Sequence, residues 1–405
     1  MKRFFFAVVA FLTIAFMWDR QAALADCRSL SPALRQGAFI VAAPDGRVLI
    51  ACNENQPLIP ASILKIATAL ISLEVLGPDY RFLTELYLDA EQNLYLKGYG
   101  DPLLVAEEAA LILDQLRALG VARINSIFID NSSYALAEQV PGRGDSNNPY
   151  DAPVNATAVN FNAVAVKVGP GQEVRSAEEQ TPTLPLMREL ARGLEPGEYR
   201  LNICTGGCRA EEQSARYVAE LFRALQREKG IAGDGETGLR PVPAGVKLLA
   251  AHRNSRTLAE VLVAVLEHSN NFAANQLYLA CGAARYGYPA TWDKARRVGQ
   301  EVMAKVLDPK VAGSLRMVEG SGLSRDNRVT ARVMLELLQR FAPHAGLLRE
   351  QHGVRLKSGS MDGVHNYAGY LPGGQPFVIL ENQADNTRDR LLARLQTMYP
   401  AEKRP

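Results

Sequence analysis

Three short groups of residues in this chain have the types and spacing that nucleophilic chemistry needs. The first is Ser62-Ile63-Leu64-Lys65, which opens an apolar run continuing through Ile66, Ala67 and Leu70. Residues three apart on a helix are surface neighbours, with Cβ atoms roughly 5–6 Å apart, so the Ser62 hydroxyl and the Lys65 amine can meet. A serine hydroxyl is a weak nucleophile until a base takes its proton. A lysine desolvated among Ile63, Leu64 and Ile66 would gain the lowered pKa that such a base requires. The plain alternative is a solvated lysine one turn from a helix-capping serine, and for an isolated S-x-x-K it would prevail. No other serine in the chain has a lysine three positions later.

The second group is Ser269-Asn270-Asn271, between two helical patterns. A hydroxyl and an amide two residues apart in a tight turn can point the same way. The amide can hold a substrate amide while the hydroxyl passes a proton to a leaving amine. The alternative is that Ser269 merely caps the helix starting at Asn271. The similar Ser146-Asn147-Asn148 sits in a Gly/Pro-rich loop without flanking helices, which favours Ser269. The third group, Lys357-Ser358-Gly359, closes a predicted strand and is the only K-[ST]-G in the chain. Lysine and serine on an edge strand can bind a carboxylate, and a glycine lets backbone approach a substrate closely. Alone, it would read as a surface strand end with a turn glycine.

The elements that must position these groups follow from hydrophobic periodicity. Two apolar runs between Ala38 and Ala51 flank Pro44-Asp45-Gly46-Arg47, a hairpin signal. The helix of Ser62 stops at Gly77-Pro78. From about residue 82 the texture changes to short alternating runs, with a helix expected over Leu103 to Leu119 and a buried strand over Ile124 to Asp130. The alternation of Val159, Phe161, Val164, Val166 and Val168 predicts a strand over Ala158 to Val168. Residues 169–212 are rich in Pro, Gly and Glu and read as a small nested insertion. Helices follow over Ala215 to Lys229, Thr257 to Glu267, Asn271 to Cys281, Trp292 to Val306 and Val329 to Phe341. Three strands near Gly353 to Lys357, Asn366 to Leu371 and Phe377 to Glu381 precede a closing helix. The expected organisation is α+β: residues 26–82 and 250–405 form one domain, interrupted by an inserted domain at 83–249.

The N-terminus reads as a secretory leader over residues 1–25. Lys2-Arg3 precede an apolar run from Phe4 to Trp18, and Ala23-Leu24-Ala25 supplies a small-x-small cleavage pattern. That run is short for a bilayer span of roughly 20 residues. The 45 Lys and Arg nearly balance 43 Asp and Glu. Removal of the leader takes away Lys2, Arg3, Arg20 and Asp19, leaving a formally neutral chain with no basic stripe, which argues against nucleic acid as a partner. No later segment is long and apolar enough to be a transmembrane anchor; peripheral membrane contact stays open. In an exported protein Cys204 and Cys208 are a candidate disulfide loop and Cys27 with Cys52 a second pair, leaving Cys281 buried. Zinc competes for the C-x3-C pair, but the five histidines are scattered and give no ligand spacing. No metal or cofactor is implied.

In this order, S-x-x-K, S-x-N and K-[ST]-G resemble the active-site set of penicillin-binding proteins and serine β-lactamases. The long gap after the first motif narrows the resemblance to the class C low-molecular-mass penicillin-binding proteins, the D-alanyl-D-alanine carboxypeptidase/endopeptidase family. Further stretches match: Gly98-Tyr-Gly-Asp-Pro102, Tyr150-Asp-Ala-Pro153, Val159-Asn-Phe-Asn162, Glu319-Gly-Ser-Gly-Leu-Ser-Arg325 and Gly363-Val-His-Asn-Tyr-Ala-Gly369. Two departures are Ser358 where threonine is commoner and an inserted region short for the family. The resemblance implies a penicillin-binding fold with a five-stranded antiparallel sheet between helical layers. It implies a periplasmic enzyme that acts on peptidoglycan stem peptides of the diaminopimelate type and is inhibited by β-lactams. Ser62 would be the nucleophile and Lys65 the base. Ser269 and Asn271 would relay protons and fix the peptide, Lys357 and Ser358 would hold the terminal carboxylate, and the N–H groups of Ser62 and Ser360 would form the oxyanion hole. Gly359 would bind substrate alongside. Asp145, Leu323, Arg325 and Met361 match positions of the subsite for the diaminopimelate side chain. A β-lactamase, or a non-catalytic wall-binding module on the same fold, are the alternatives. No glutamate can be assigned to activate a deacylating water, and all five principal motif residues are intact.

Overall fold

Six antiparallel strands form the sheet on which the first and third motifs depend. The computed structural model describes residues 34–400. The leader, its cleavage site and Cys27 lie outside the described residues. The chain separates into two compact units: one of residues up to Ile66, Met303–Met317 and from Arg325 on, the other of Ala67–Val302 and Val318–Ser324. These limits differ from a division at residues 82 and 250. Within the second unit, Gln276 of helix Asn271–Tyr286, bonded to Asn155 O at 2.8 Å, and Asn254 of the loop before helix Leu258–His268, bonded to Asp101 at 2.8 Å, tie residues beyond 250 to residues 83–249.

In the first unit the strand order is Glu350–Gln351, Val354–Met361, Val364–Tyr370, Pro376–Glu381, Gly37–Ala42 and Val48–Cys52. The five strands expected from the resemblance are joined by the two-residue edge strand Glu350–Gln351, too short to carry a periodic signal. Every residue of Gly37–Ala42 and Pro376–Glu381 is buried, because a helix covers each face. Leu391, Leu392 and Leu395 of helix Arg388–Met398 pack on Phe39, Val41, Phe377 and Ile379. Helix Ala331–Phe341 serves the other face, where Tyr370 Oη donates to Leu338 O at 2.6 Å.

The second unit has a mixed five-stranded sheet, ordered Leu248–Arg253, Leu83–Leu88, Leu94–Gly98, Ile127–Asp130 and Thr237–Leu239. Helices Ala106–Ala118 and Ala210–Glu228 pack on it around Ile112, Leu116, Leu221 and Phe222. A three-stranded sheet is formed by Val174–Ser176, Ala163–Val168 and Gly197–Asn202. Strand Ala163–Val168 starts later than the alternation predicts. Asn160, Phe161 and Asn162 have φ of 46°, 61° and 51°, a left-handed turn where a strand is expected. Asparagine tolerates this region better than most residues, and here both amides are held by partners distant in sequence, among them Ala106, Tyr217 and Ser214. Among the described residues no helix is long and apolar enough to cross a membrane.

Candidate active site

Ser62 sits on a single 3-10 turn, Ala61–Leu64, and helix Lys65–Leu76 continues from it. Ala61, Ile63 and Leu64 are buried and anchor the turn, leaving Ser62 partly exposed. Lys65 is 1% exposed, and its Nζ donates to Ser62 Oγ at 3.0 Å. A neutral lysine can accept the serine proton along the same line, so the solvated-lysine alternative fails on burial and on contact. Ala61 has φ of 47°, a conformation costly for any residue with a Cβ. What holds it is Asn366, fully buried, whose Nδ2 donates to Ile59 O at 2.9 Å and to Pro60 O at 2.8 Å. Asn382 Oδ1 accepts from Ile59 N at 2.7 Å. The sequence gives Asn366 only as part of a family stretch; its grip on residues more than 300 positions earlier carries no local signal.

Strand Val354–Met361 lies against this turn. A Cβ on Gly359 would stand 2.7 Å from Pro60 O and 3.1 Å from Ser62 N and Ile63 N, so only glycine fits. The edge strand Glu350–Gln351 pairs with Val354 and Arg355 alone. Leu356 N donates beyond it to Arg349 O at 3.1 Å. Because N–H direction along a strand reverses at each residue and repeats every two, the N–H groups of Ser358 and Ser360 face the same edge as that of Leu356. Lys357 is 3% exposed, and its Nζ donates to Ser358 O at 3.0 Å. Burial lowers its pKa from the ordinary 10.5 to about 8. Arg388, stacked over Tyr367 at 4.4 Å, donates to Ser360 Oγ at 2.7 Å and steadies the strand end. Met361 is partly exposed at that end, and the exposed Arg325 donates to Asp362 O.

Ser269, Asn271, Asp145 and Leu323 belong to the second unit. Ser269 ends helix Leu258–His268 with φ of 55°, while Asn270, not Ser269, caps helix Asn271–Tyr286 through Ala273 N at 2.9 Å. The capping alternative for Ser269 therefore falls away. Asn271 Nδ2 donates to Tyr150 O at 3.4 Å, and Ser269 and Asn271 line a cavity of about 750 Å³. The rival Ser146 donates to Asp151 Oδ2 at 2.6 Å within its own loop. Asp145 is exposed and accepts from Gly206 N at 2.9 Å, inside the loop closed by the Cys204–Cys208 disulfide. Cys52 is also disulfide-bonded, and Cys281 is a free buried thiol raised to about 12 by burial. Leu323 is carried by a loop shaped around the buried Glu319, whose carboxylate accepts from Ser321 N and Gly322 N, both at 2.7 Å.

Comparison with known proteins bears on the family and the fold. The model of the D-Ala-D-Ala carboxypeptidase 3 (S13) family matches residues 21–190 and 204–352, stopping just short of Lys357. The D-alanyl-D-alanine carboxypeptidase of Actinomadura sp. (strain R39) is 29% identical over 419 aligned positions, covering 85% of this chain and 77% of the relative. The D-alanyl-D-alanine carboxypeptidase DacB of Haemophilus influenzae is 24% identical over 380 positions, covering 79% and 78%. The crystal structure of penicillin-binding protein 4 (dacB) from Haemophilus influenzae shares the fold, with a TM-score of 0.71 at 20% identity over 93% of this chain and 99% of that one. The same protein complexed with a β-lactam aligns with a TM-score of 0.70.

Proposed function

The chain belongs to the D-Ala-D-Ala carboxypeptidase 3 (S13) family, and from that premise we propose a mechanism in which Ser62 is acylated by the penultimate D-alanine of a peptidoglycan stem peptide. The protein is a serine D-alanyl-D-alanine peptidase of the penicillin-binding type that acts on peptidoglycan and binds β-lactams. The observation that carries the mechanism is the 3.0 Å contact between buried Lys65 Nζ and Ser62 Oγ. Lys65 takes the serine proton as Oγ attacks the D-alanyl carbonyl. The N–H groups of Ser62 and Ser360 receive the developing oxyanion, where losing one donor costs about 3–4 kcal/mol. The peptide bond breaks, and its amine leaves as D-alanine or as a crosslinked strand after gaining a proton through Ser269. Water then hydrolyses the ester and frees Ser62. Asn271 fixes the peptide, and Lys357 and Ser358 hold the terminal carboxylate beside Gly359. Asp145, Leu323, Arg325 and Met361 are assigned to the diaminopimelate side chain. The Cys204–Cys208 disulfide supports an exported, periplasmic location.

A cationic Lys357 is the form that binds a carboxylate, and it loses its proton as the pH rises through about 8. For peptides ending in a free carboxylate, kcat/KM is expected to fall above that pH, with KM carrying the change. A peptide amide lacking the carboxylate should not show this alkaline limb. Paired pH–rate profiles check the assignment, and identical limbs for both substrates would move it to another group.

Incubation with defined pentapeptide monomers and crosslinked dimers, with products weighed by mass spectrometry, tests the function. The expected products are tetrapeptide and free D-alanine from the monomer, and separated strands from the dimer. Intact substrates in both arms would overturn the reading, and rapid catalytic turnover of penicillin would favour the β-lactamase alternative.

A further inference from the structure

The second unit holds a cavity that the mechanism does not use beyond its rim. It has a volume of about 750 Å³, within the range of roughly 300–1,000 Å³ usual for ligand sites. Its walls combine aromatic, aliphatic and charged groups, among them Tyr150, Phe161, Ala264, Arg256 and Glu178. We propose that this cavity binds the part of the stem peptide that lies amino-terminal to the acylated D-alanine, towards the glycan. The inference rests on the peptidase reading and names a second binding region for the same substrate.

Two independent features support it. First, Ser269 and Asn271 form part of the cavity wall. The proposed mechanism assigns Asn271 to holding the peptide. A chain held there continues into the cavity, past the Tyr150 carbonyl to which Asn271 Nδ2 is bonded at 3.4 Å.

Second, the backbone gives up a strand to build the wall. Asn160, Phe161 and Asn162 are three successive non-glycine residues in the left-handed region, with φ of 46°, 61° and 51°. Strained conformations persist only where surroundings over-determine them, and they cluster at ligand sites. Here Asn160 Oδ1 accepts from Ala106 N at 2.9 Å and its Nδ2 donates to Tyr217 Oη at 3.1 Å. Asn162 Nδ2 donates to Pro153 O at 2.8 Å, and its Oδ1 accepts from Ser214 Oγ at 3.0 Å. Both asparagines are pinned, and the product is a Phe161 ring placed in the cavity wall. It lies edge-to-face with Phe272, the residue after Asn271, at 6.3 Å. A turn serving packing alone would bury this ring, whereas Phe161 stays partly exposed. Charges of both signs at the walls, such as the Arg200–Glu178 pair at 3.3 Å, suit a peptide that itself carries carboxylate and amine groups.

The test uses the full chain and three probes: penicillin, an N-acyl tripeptide ending in D-Ala-D-Ala, and a disaccharide pentapeptide. Ala264→Trp fills the cavity, and Arg256→Glu, at an exposed side chain, alters its charge without touching the core. For either variant, kcat/KM on the disaccharide pentapeptide is expected to fall at least about tenfold, while penicillin acylation and tripeptide turnover stay within about twofold of wild type, the signature of lost remote binding energy. Equal losses on all three probes, or no loss on the pentapeptide in Arg256→Glu, would overturn the proposal. Failure of the wild type to react with penicillin would instead remove the peptidase reading beneath it.

Discussion

Replacing Lys65 by alanine is expected to slow acylation of Ser62 by about 10²–10⁴-fold, the usual worth of a positioned general base. Lys65 reaches Ser62 Oγ at 3.0 Å and is 1% exposed, so water cannot readily substitute for its amine. Truncating a buried side chain also costs stability, so alanine alone would not separate catalysis from packing. Lys65→Arg does: arginine keeps the charge and most of the stem, but it stays protonated and cannot act as a base. It should therefore be as slow as alanine in single-turnover acylation by penicillin. Recovery of a near wild-type rate in Lys65→Arg would reduce Lys65 to an electrostatic or packing role.

Gly359→Ala is expected to lower the acylation rate by about 10²-fold, the scale of loss when a reacting group moves by about 1 Å. The new methyl would stand 2.7 Å from Pro60 O and 3.1 Å from Ser62 N, and these are backbone atoms that cannot swing aside. Asn366 holds the same Pro60 carbonyl from another direction, so the turn is caught between the strand and that amide. Overpacking of this kind costs about 1–3 kcal/mol of stability, readable as a lowered Tm. Gly313, with nothing within 4 Å of a built Cβ, supplies the control: Gly313→Ala should leave both rate and Tm unchanged. A Gly359→Ala variant with wild-type acylation would show that the strand does not set the position of Ser62.

The residues assigned to the chemistry were the most legible part of the sequence, because their order and spacing are themselves the signal. Ser62 with Lys65, and Lys357 with Gly359, could be read from a helix repeat and a strand end, and the structure brings these four onto one turn and one strand. What holds them was not legible. Asn366 grips Ile59 and Pro60 from a distant strand, and a lone asparagine in an apolar stretch looks like any other polar break. Ser269 and Asn270 have nearly equal capping preference, so only the backbone, with Ser269 at φ 55°, decides which one caps. Valine and phenylalanine alternation extended a strand across Asn160–Asn162 because periodicity counts apolar residues and ignores asparagine's taste for the left-handed region. The limits of the compact units escape notice for a different reason. Domain limits are sought in flexible linkers, yet two of these fall inside helices Lys65–Leu76 and Trp292–Val306.

The central claim is that the Ser62 hydroxyl becomes covalently acylated, and intact-mass analysis of the full-length protein after brief exposure to penicillin tests it most directly. The account predicts a single penicilloyl adduct per chain, mapped by peptide sequencing to Ser62 and missing from Ser62→Ala. An unmodified protein, or an adduct at any other side chain, would contradict it.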